Sequence, residues 1–188
     1  MKKNGSLQDF LLAPSWEVAP LLVGWRFETR FDAATTAVVL TEVEAYDETD
    51  AASHSFRGIT PRTEAMFGPP GHLYVYRSYG IHWCVNLVTG PAGHGAAVLL
   101  RAGIPVEGEE TMARRRGRRS NLTDGPGKLT QALGITGSHN QLNLMQDGMV
   151  RMTPTGESPT VIATPRIGIT KAVERPWRFV AATWREGF

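Results

Sequence analysis

The segment from Ala37 to Tyr46 carries the strongest secondary-structure signal in the chain and constrains the fold most. It is rich in β-branched residues, and its odd-numbered positions stay small or apolar throughout. Its even-numbered positions change from apolar to acidic and aromatic: Val38, Leu40, Glu42, Glu44 and Tyr46. Because successive side chains of a strand point to opposite faces, the segment predicts a strand with one face that becomes polar near its end. Two interpretations stay open: the polar end forms the floor of a site, or the strand emerges into solvent.

Frequent glycine and proline residues divide the rest of the chain into short elements. The 188 residues include 20 glycines and 12 prolines, which indicates many turns and argues against a helical bundle. Short helices are predicted at residues 7–13, 15–23, 106–119 and 125–133 and after Thr60, with Ser6 and Ser15 as caps of the first two. Further strands are predicted at residues 25–30, 72–76, 81–88, 95–102, 149–152, 161–163 and 178–181. This mixture predicts an α+β fold with a largely antiparallel sheet.

The length of the chain suits a single domain. We expect residues 1–188 to form that domain. We expect loose termini over residues 1–9 and 183–188, and a mobile arginine-rich loop over residues 113–124.

Positive charge is concentrated in the second half of the chain. Residues 1–94 carry seven basic and ten acidic side chains, whereas residues 95–188 carry thirteen basic and eight acidic ones. Five arginines lie between Arg114 and Arg119. Clustered positive charge favours a polyanionic partner such as nucleic acid. A solvated arginine loop explains the run equally well, so charge alone leaves both interpretations open.

Three tyrosines crowd one predicted hairpin. Tyr74 and Tyr76 share a face by alternation, and Tyr79 lies in the turn formed by residues 77–80. We interpret Tyr74 as a core residue, because aromatic residues are common in strands and pack on their neighbours. For Tyr79 two interpretations stay open: packing against the hairpin, or an exposed ring that enters between stacked bases.

Several catalytic classes lack their sequence signatures. The single cysteine, Cys84, excludes an intrachain disulfide and a cysteine-based zinc site. The five histidines do not show the H-E-x-x-H spacing, and there is no G-x-S-x-G elbow, P-loop or dinucleotide fingerprint. A metal site is therefore not expected. The segment Gly125–Lys128 matches neither phosphate-binding spacing, although its backbone and Lys128 could still contact phosphate. Without a membrane-length apolar stretch or a secretory signal, a cytoplasmic location is expected.

A series of short motifs resembles one enzyme family. The motifs are TEVEAY at 41–46, ASHS at 52–55, TPR at 60–62, MFGPPG at 66–71, LYVY at 73–76, YG at 79–80, CVN at 84–86, VLLR at 98–101, ETM at 110–112, GPGKL at 125–129 and RIG at 166–168. With these motifs the chain resembles the alkyladenine DNA glycosylases, also called the 3-methyladenine DNA glycosylase family, over roughly residues 10 to 182. So many motifs in the family's order make chance agreement negligible.

The resemblance implies a single compact domain with a curved, largely antiparallel sheet, surrounding helices and a β-hairpin that protrudes into the minor groove of DNA. It implies a monomeric, monofunctional enzyme without lyase activity, metal or cofactor. Such an enzyme extrudes a damaged purine from double-stranded DNA and hydrolyses its N-glycosidic bond. The expected substrates are alkylated or deaminated purines of the 3-methyladenine, 7-methylguanine, hypoxanthine and ethenoadenine class.

By match to the family motifs, the resemblance also implies residue roles. Glu44 is the expected general base that activates water, with Arg101 as its partner and the backbone carbonyl of Ile167 as a further contact of that water. Tyr79 is the expected wedge that fills the gap left by the extruded nucleotide, and Asn86 is expected to disfavour the 2-amino group of normal guanine. The expected pocket residues are Tyr46, His54, Tyr76, Asn86 and Ile167. The candidate contacts with the DNA backbone are Arg62, Lys128, Arg114, Arg115 and Arg116.

Two features depart from the family pattern. Arg77 and Ser78 stand in the hairpin where the family usually has bulky apolar residues, and the arginine run of residues 114–119 is denser than expected. Two other functions remain open from the sequence: a damaged-DNA binding protein that does not catalyse, and an RNA-modifying or nucleotide hydrolase. The presence of both Glu44 and Arg101 argues against the first.

Overall fold

One antiparallel β-sheet occupies the centre of the molecule. The computed structural model describes residues 6–146 and 148–182. Within these residues it has eight strands, which are β1 Trp25–Phe31, β2 Ala34–Asp47, β3 Leu73–Ser78, β4 His82–Val88, β5 Ala96–Glu107, β6 Val150–Pro154, β7 Val161–Thr164 and β8 Arg178–Ala181. The α-helices are α1 Leu7–Leu11, α2 Ser15–Leu22, α3 Glu109–Arg116 and α4 Pro126–Ala132, and short 3₁₀ helices span His54–Arg57, Glu64–Phe67 and Gly137–His139.

The sheet confirms the predicted α+β class. Its strands follow the order β3-β4-β5-β2-β1-β6, and β8 pairs with both β2 and β7. All of these pairings are antiparallel. The helices pack around this sheet and form one compact domain with it, as expected for short helices connected by many turns.

Strand β2 organises the sheet and carries the polar positions noted in the sequence. Its first half pairs with β1, its second half pairs with β8, and β5 follows its other edge. The pairing with β5 shifts register around Leu40, Glu42 and Val43. Because such irregularities bend a strand and increase its twist, β2 bends where its polar positions begin.

Apolar side chains fill two clusters of different size. The main core includes the fully buried Phe27, Leu40 and Leu100, and each buried side chain of this kind contributes about 1.5–3 kcal/mol to folding. A smaller cluster is formed by Ala65, Met66, Tyr74, Val88 and Ala97, with Phe67 and Tyr76 packed against it. The smaller cluster supports the strands that carry the polar site described below.

The predicted helix starts are only partly correct. Ser6 caps α1 as predicted, because its hydroxyl accepts the Asp9 N–H while the Asp9 carboxylate accepts the Ser6 N–H. The prediction that Ser15 caps α2 is wrong. Pro14 occupies the cap position and Ser15 lies buried in the first turn.

The predicted helix over residues 106–119 starts later than the pattern indicated. Strand β5 continues to Glu107, which pairs with Ala37 of β2, so sheet pairing prevails over local helix propensity. Gly108 follows in the left-handed region with φ 74°, and a Cβ atom there would lie 2.3 Å from the Thr35 carbonyl oxygen. Only glycine fits this close approach, and α3 begins at Glu109.

The helix predicted after Thr60 is also displaced. Thr60 and Thr63 form a turn in which each hydroxyl accepts the backbone N–H of the other residue. A single 3₁₀ turn over Glu64–Phe67 follows. Side-chain hydrogen bonds to the backbone thus replace the first helical turn that the sequence pattern suggested.

Two other expectations concern the ends and the arginine-rich segment. Residues 1–5 and 183–188, which belong to the segments expected to be loose, lie outside the described residues. Residues 113–116 of the arginine-rich segment belong to α3.

Within residues 6–146 and 148–182, no helix has the length and apolarity to cross a membrane.

Candidate active site

A cavity of about 540 Å³ lies at the polar end of β2, between the β3–β4 hairpin and residues 167–169. This volume is in the range of small-molecule sites in proteins. Aromatic and polar side chains dominate its lining. The structure brings together there all the residues predicted for a base pocket, the predicted partner of the general base and the predicted wedge: Tyr46, His54, Tyr76, Asn86, Ile167, Arg101 and Tyr79.

Glu44 lies fully buried directly behind the wall of this cavity. Its Oε1 accepts the backbone N–H of Ile167 at 2.8 Å. Its Oε2 accepts the Tyr46 hydroxyl at 2.8 Å and Nη1 of Arg101 at 3.2 Å. All three donors line the cavity, so the carboxylate is one layer of atoms away from it. A carboxylate has about four acceptor positions, which leaves capacity for one more donor.

The alternation predicted for β2 is confirmed by the contacts of Arg101. Its Nε donates to Glu42 at 2.6 Å while its Nη1 reaches Glu44, so both carboxylates share one face with Tyr46. Arg178 also donates to Glu42, at 2.7 Å. Burial favours a higher pKa for Glu42, but the hydrogen bonds from the two arginines outweigh it and lower that pKa. The polar end of β2 is therefore the edge of a cavity.

A buried ion pair behind Tyr46 is a feature that the sequence analysis missed. Arg166 and Asp50 are both fully buried, and the guanidinium contacts the carboxylate through both terminal nitrogens, one of them at 3.0 Å. The same guanidinium donates to the Ala45 carbonyl and lies 4.8 Å from the centre of the Tyr46 ring. Arg166 belongs to the RIG motif, but a sequence separation of 116 from Asp50 leaves no local signal of their pairing. The ion pair therefore places a guanidinium against the Tyr46 ring.

His54 is held in one orientation by two neighbours. Its Nδ1 lies 3.0 Å from the Tyr74 hydroxyl and its Nε2 lies 3.3 Å from Nη2 of Arg62. A guanidinium can only donate, so Nε2 is the acceptor and Nδ1 carries the proton. Desolvation in the cavity wall, with the charge of Arg62 as the second cause, lowers the pKa of His54 to about 4. His54 is therefore a neutral hydrogen-bonding group at pH 7.

The hairpin strand β3 supplies two stacked tyrosines to the same wall. The rings of Tyr74 and Tyr76 lie 5.4 Å apart at 24°, which confirms that they share a face. Tyr76 meets His54 edge to face at 4.6 Å. Tyr74 is buried, as predicted for a core residue, but its hydroxyl also positions His54, a role that the sequence did not reveal. Burial raises the pKa of both phenols, so both remain protonated at neutral pH.

Asn86 lies opposite Tyr74 in the ladder between β3 and β4. Its side-chain amide donates to the Tyr74 carbonyl at 3.0 Å, and the residue is buried. This hydrogen bond fixes the orientation of the amide at the cavity wall.

Tyr79 lies at the tip of the hairpin and is 87% exposed. Tyr79 and Gly80 both have positive φ, of 49° and 69°, and the Ile81 N–H donates to the Ser78 carbonyl at 3.0 Å. This is a type I′ turn, which favours asparagine or glycine at its first central position. A tyrosine in that position has a strained backbone and a ring that projects into solvent.

Comparison with known proteins identifies the relatives of this chain. The model of the family described as "Methylpurine-DNA glycosylase (MPG)" matches residues 9–185. The chain belongs to the methylpurine-DNA glycosylase family. A protein of Rhodopseudomonas palustris strain BisB18 is 50% identical over 179 residues, which cover 92% of this chain and 84% of the relative. A protein of Granulibacter bethesdensis is 54% identical over 149 residues, covering 77% and 70%. Both carry the name "Putative 3-methyladenine DNA glycosylase".

Membership of this family makes the protein a DNA glycosylase, a hydrolase of DNA repair, and makes DNA its substrate. The cavity is the candidate active site of this glycosylase. Titratable groups and aromatic rings line it, and a buried carboxylate that accepts the Tyr46 hydroxyl lies directly behind its wall, as such chemistry requires.

The basic residues predicted to contact DNA in this glycosylase have different surroundings. Arg62 lines the cavity, whereas Lys128 forms an ion pair with Asp124 one helical turn away at 2.9 Å. Arg115 is turned inward, where its guanidinium donates to the Phe31 and Ala132 carbonyls. Of the other two predicted contacts, Arg114 donates to Thr111 and Arg116 to Gln131. Arg115 therefore has a structural role in holding α3.

The described part of the chain contains no cluster of three or more histidine, cysteine, aspartate or glutamate side chains that could hold a metal ion. The histidines are dispersed, and His54 has its two ring nitrogens occupied by Tyr74 and Arg62.

Proposed function

We propose that this glycosylase removes alkylated and deaminated purines from double-stranded DNA by extruding the damaged nucleotide and hydrolysing its N-glycosidic bond. The convergence of Glu44 and Arg101 behind a cavity walled by aromatic rings carries the proposal. A base inside a duplex hides its glycosidic bond, so the cavity can receive it only after extrusion.

The aromatic walls favour damaged purines in two ways. Unstacking costs a few kcal/mol and costs least for damaged or mispaired bases. Stacking on Tyr46 and Tyr76 would return about 1–3 kcal/mol per base. Purines such as 3-methyladenine and 7-methylguanine carry a positive charge, which electron-rich rings attract. The Tyr46 hydroxyl donates a hydrogen bond to the Glu44 carboxylate, and this makes the Tyr46 ring more electron-rich.

In this proposal Glu44 is the general base. As the bond between C1′ and the base nitrogen breaks, its electron pair leaves with the base and positive charge develops on the sugar. A water oxygen bonds to C1′, and Glu44 accepts a proton from that water. General-base assistance of this kind is worth about 10²–10⁴-fold in rate. Arg101 donates to the same carboxylate at 3.2 Å. The products are an abasic site and the free base, which takes up a proton where the extruded purine was neutral.

Hydrolysis without strand cleavage is the expected outcome. A lyase reaction needs an amine that attacks C1′ and forms a Schiff base. Among the described residues that line the cavity, none is a lysine. The monofunctional reaction is therefore the one that this lining supports.

Tyr79 serves in this proposal as the wedge that replaces the extruded nucleotide. Its ring is exposed, it lines the cavity, and it lies at the tip of a two-stranded hairpin. Inserted aromatic side chains compensate for lost base stacking. Arg77, whose guanidinium lies 5.7 Å from the Trp83 ring centre, packs on the side of the hairpin.

The test is base excision across a panel of lesions. Duplexes that each contain one hypoxanthine, ethenoadenine or 7-methylguanine are incubated with excess enzyme, and abasic sites are cleaved with alkali. We expect cleavage at the lesion only after alkali treatment. An RNA duplex and a free nucleoside serve as controls and should remain intact. Tight lesion binding without base release would instead indicate a non-catalytic damaged-DNA binding protein and contradict the proposal.

A further inference from the structure

A second cleft, of about 430 Å³, adjoins the base cavity. The two share five lining residues, and His54 and Arg62 are the polar ones at this shared wall. The second cleft extends from this wall along the 3₁₀ helix His54–Arg57 to Lys171 on the far side. It plays no part in the hydrolysis proposed above.

The charged residues that line this cleft are all positive. Arg57, Arg62 and Lys171 contribute three cations, and none of its described lining residues carries a carboxylate. Neither Arg57 nor Lys171 makes an ion pair with any residue in the described part of the chain, and both are exposed. Lys128, by contrast, is neutralised by Asp124. A cleft with charges of one sign focuses its electric field and concentrates anions.

Arg62 connects the two cavities. Its guanidinium donates to His54 and lies 5.5 Å from the centre of the Tyr76 ring on the base side, while it also lines the second cleft. A guanidinium has five N–H donors, so Arg62 can contact His54 and an anion at the same time. The Thr170 hydroxyl lies in the same cleft as a further donor.

The base of an extruded nucleotide stays bonded to its sugar, which carries a phosphate on either side, until the glycosidic bond breaks. Those phosphates must lie outside the base cavity but close to its wall. We propose that the second cleft binds a backbone phosphodiester of the damaged strand beside the extruded nucleotide, through Arg57, Arg62 and Lys171. This inference rests on the proposed function, because it needs a nucleotide in the base cavity.

The first arm of the test measures the salt dependence of binding. Lesion-containing duplex is titrated with Arg57→Ala, Lys171→Ala and the control Arg151→Ala at several salt concentrations. Arg151 is also an exposed cation, and it lies on β6 at the opposite edge of the sheet from the hairpin. Each cleft variant should bind about fivefold more weakly and lose about one unit of the log K against log salt slope, as removal of a phosphate contact predicts. Arg151→Ala should keep the wild-type slope.

The second arm identifies the anion. Neutral methylphosphonate linkages are placed singly at the phosphates on either side of the lesion. One linkage should weaken binding to the wild type about fivefold and should have little further effect on Lys171→Ala, because both changes remove the same contact. Inorganic phosphate is added as a competitor in parallel. If it competes through Lys171 while no single linkage matters, the cleft binds free phosphate and the proposal is overturned.

The inference and the proposed function fail in different ways. Additive losses at every linkage, or equal slopes for Lys171→Ala and Arg151→Ala, would overturn the phosphodiester site even if lesions are excised normally. Both arms could give the expected results while the wild-type enzyme releases no base from any lesion. That outcome would overturn the proposed hydrolysis but would still support the phosphodiester contact.

Discussion

Glu44 beside the cavity and Tyr79 at the hairpin tip lie at opposite extremes of exposure, at 0% and 87%. Glu44 receives three hydrogen bonds, from the Tyr46 hydroxyl, the Arg101 guanidinium and a backbone N–H. Tyr79 has a strained backbone and a ring directed at solvent. Both side chains belong to the same site, yet their surroundings impose opposite constraints on them.

The difference separates two physical tasks. Stabilising charge on a sugar requires groups that are already oriented before the substrate arrives, because reorientation during the reaction would cost free energy. Entering a base stack requires an apolar surface that is free to leave water. We therefore expect variants near Glu44 to lose stability and rate together, and variants at Tyr79 to lose DNA affinity without loss of stability.

The largest effect on folding is predicted for the ion pair behind Tyr46. Arg166→Ala leaves the Asp50 carboxylate buried and unpaired, which should cost about 3–5 kcal/mol of unfolding free energy. Urea denaturation measures this loss. The double variant Asp50→Leu/Arg166→Met removes both charges and should recover most of the stability.

The same double variant tests whether the pair also positions Tyr46. Its excision rate should remain below the wild-type rate, because the ring has lost the guanidinium against which it stacks. A double variant with restored stability and full excision would show that the pair only stabilises the fold.

A smaller effect, with the opposite sign for stability, is predicted at the hairpin tip. Tyr79→Gly relieves the positive φ, so the free energy of unfolding should stay unchanged or rise by about 0.5–1 kcal/mol. Loss of the ring should weaken extrusion by about 1–3 kcal/mol. Fluorescence of 2-aminopurine next to the lesion reports extrusion after mixing. An unchanged fluorescence amplitude would count against Tyr79 as the wedge.

The sequence predicted those parts of the site that have a local pattern or a family motif. Alternation along β2 indicated that Glu42, Glu44 and Tyr46 share a face, and the contacts of Arg101 confirm it. The β3–β4 hairpin and the sheet class followed from turn residues and β-branched runs. Positions for the pocket residues came from the resemblance, and their roles remain predictions.

Long-range pairings account for what the sequence could not indicate. The contact of Asp50 with Arg166 joins distant segments, and neither residue carries a local signal of its partner. Arg115 looked like any other member of a basic run, yet it is turned inward onto backbone carbonyls. Strand β5 extends to Glu107 because it pairs with β2 there, and local helix propensity carries no information about that pairing.

A tenfold effect on selectivity is predicted at Asn86. Asn86→Ser removes the amide that is fixed against the Tyr74 carbonyl, and its smaller side chain should admit the 2-amino group of guanine. Release of undamaged guanine should rise about tenfold, in the range expected for one altered pocket contact. Excision of hypoxanthine, which lacks that group, serves as the reference. An unchanged guanine-to-hypoxanthine ratio would exclude Asn86 as a selectivity determinant.

The smallest effect concerns the protonation of His54. In the folded protein its imidazole should titrate near pH 4, and Arg62→Ala should raise that pKa while leaving it below 6.5, because desolvation is the larger cause. The unfolded chain binds this proton near pH 6.5, so His54 disfavours folding as the pH falls from about 6.5 towards 4. NMR titration of the His54 ring measures both pKa values. A pKa near 6.5 in the wild type would contradict the assignment of His54 as a neutral group in the cavity wall.

Comparison of Glu44→Gln with Glu42→Gln tests the central claim most directly. Both carboxylates contact Arg101 in the same network, but only Glu44 also contacts Tyr46 and the Ile167 N–H at the cavity. With saturating enzyme and a hypoxanthine duplex, Glu44→Gln should bind normally and release base about 10²–10⁴-fold more slowly, whereas Glu42→Gln should lose far less. Near-normal excision by Glu44→Gln, or equal losses in both variants, would contradict the assignment of Glu44 as the general base.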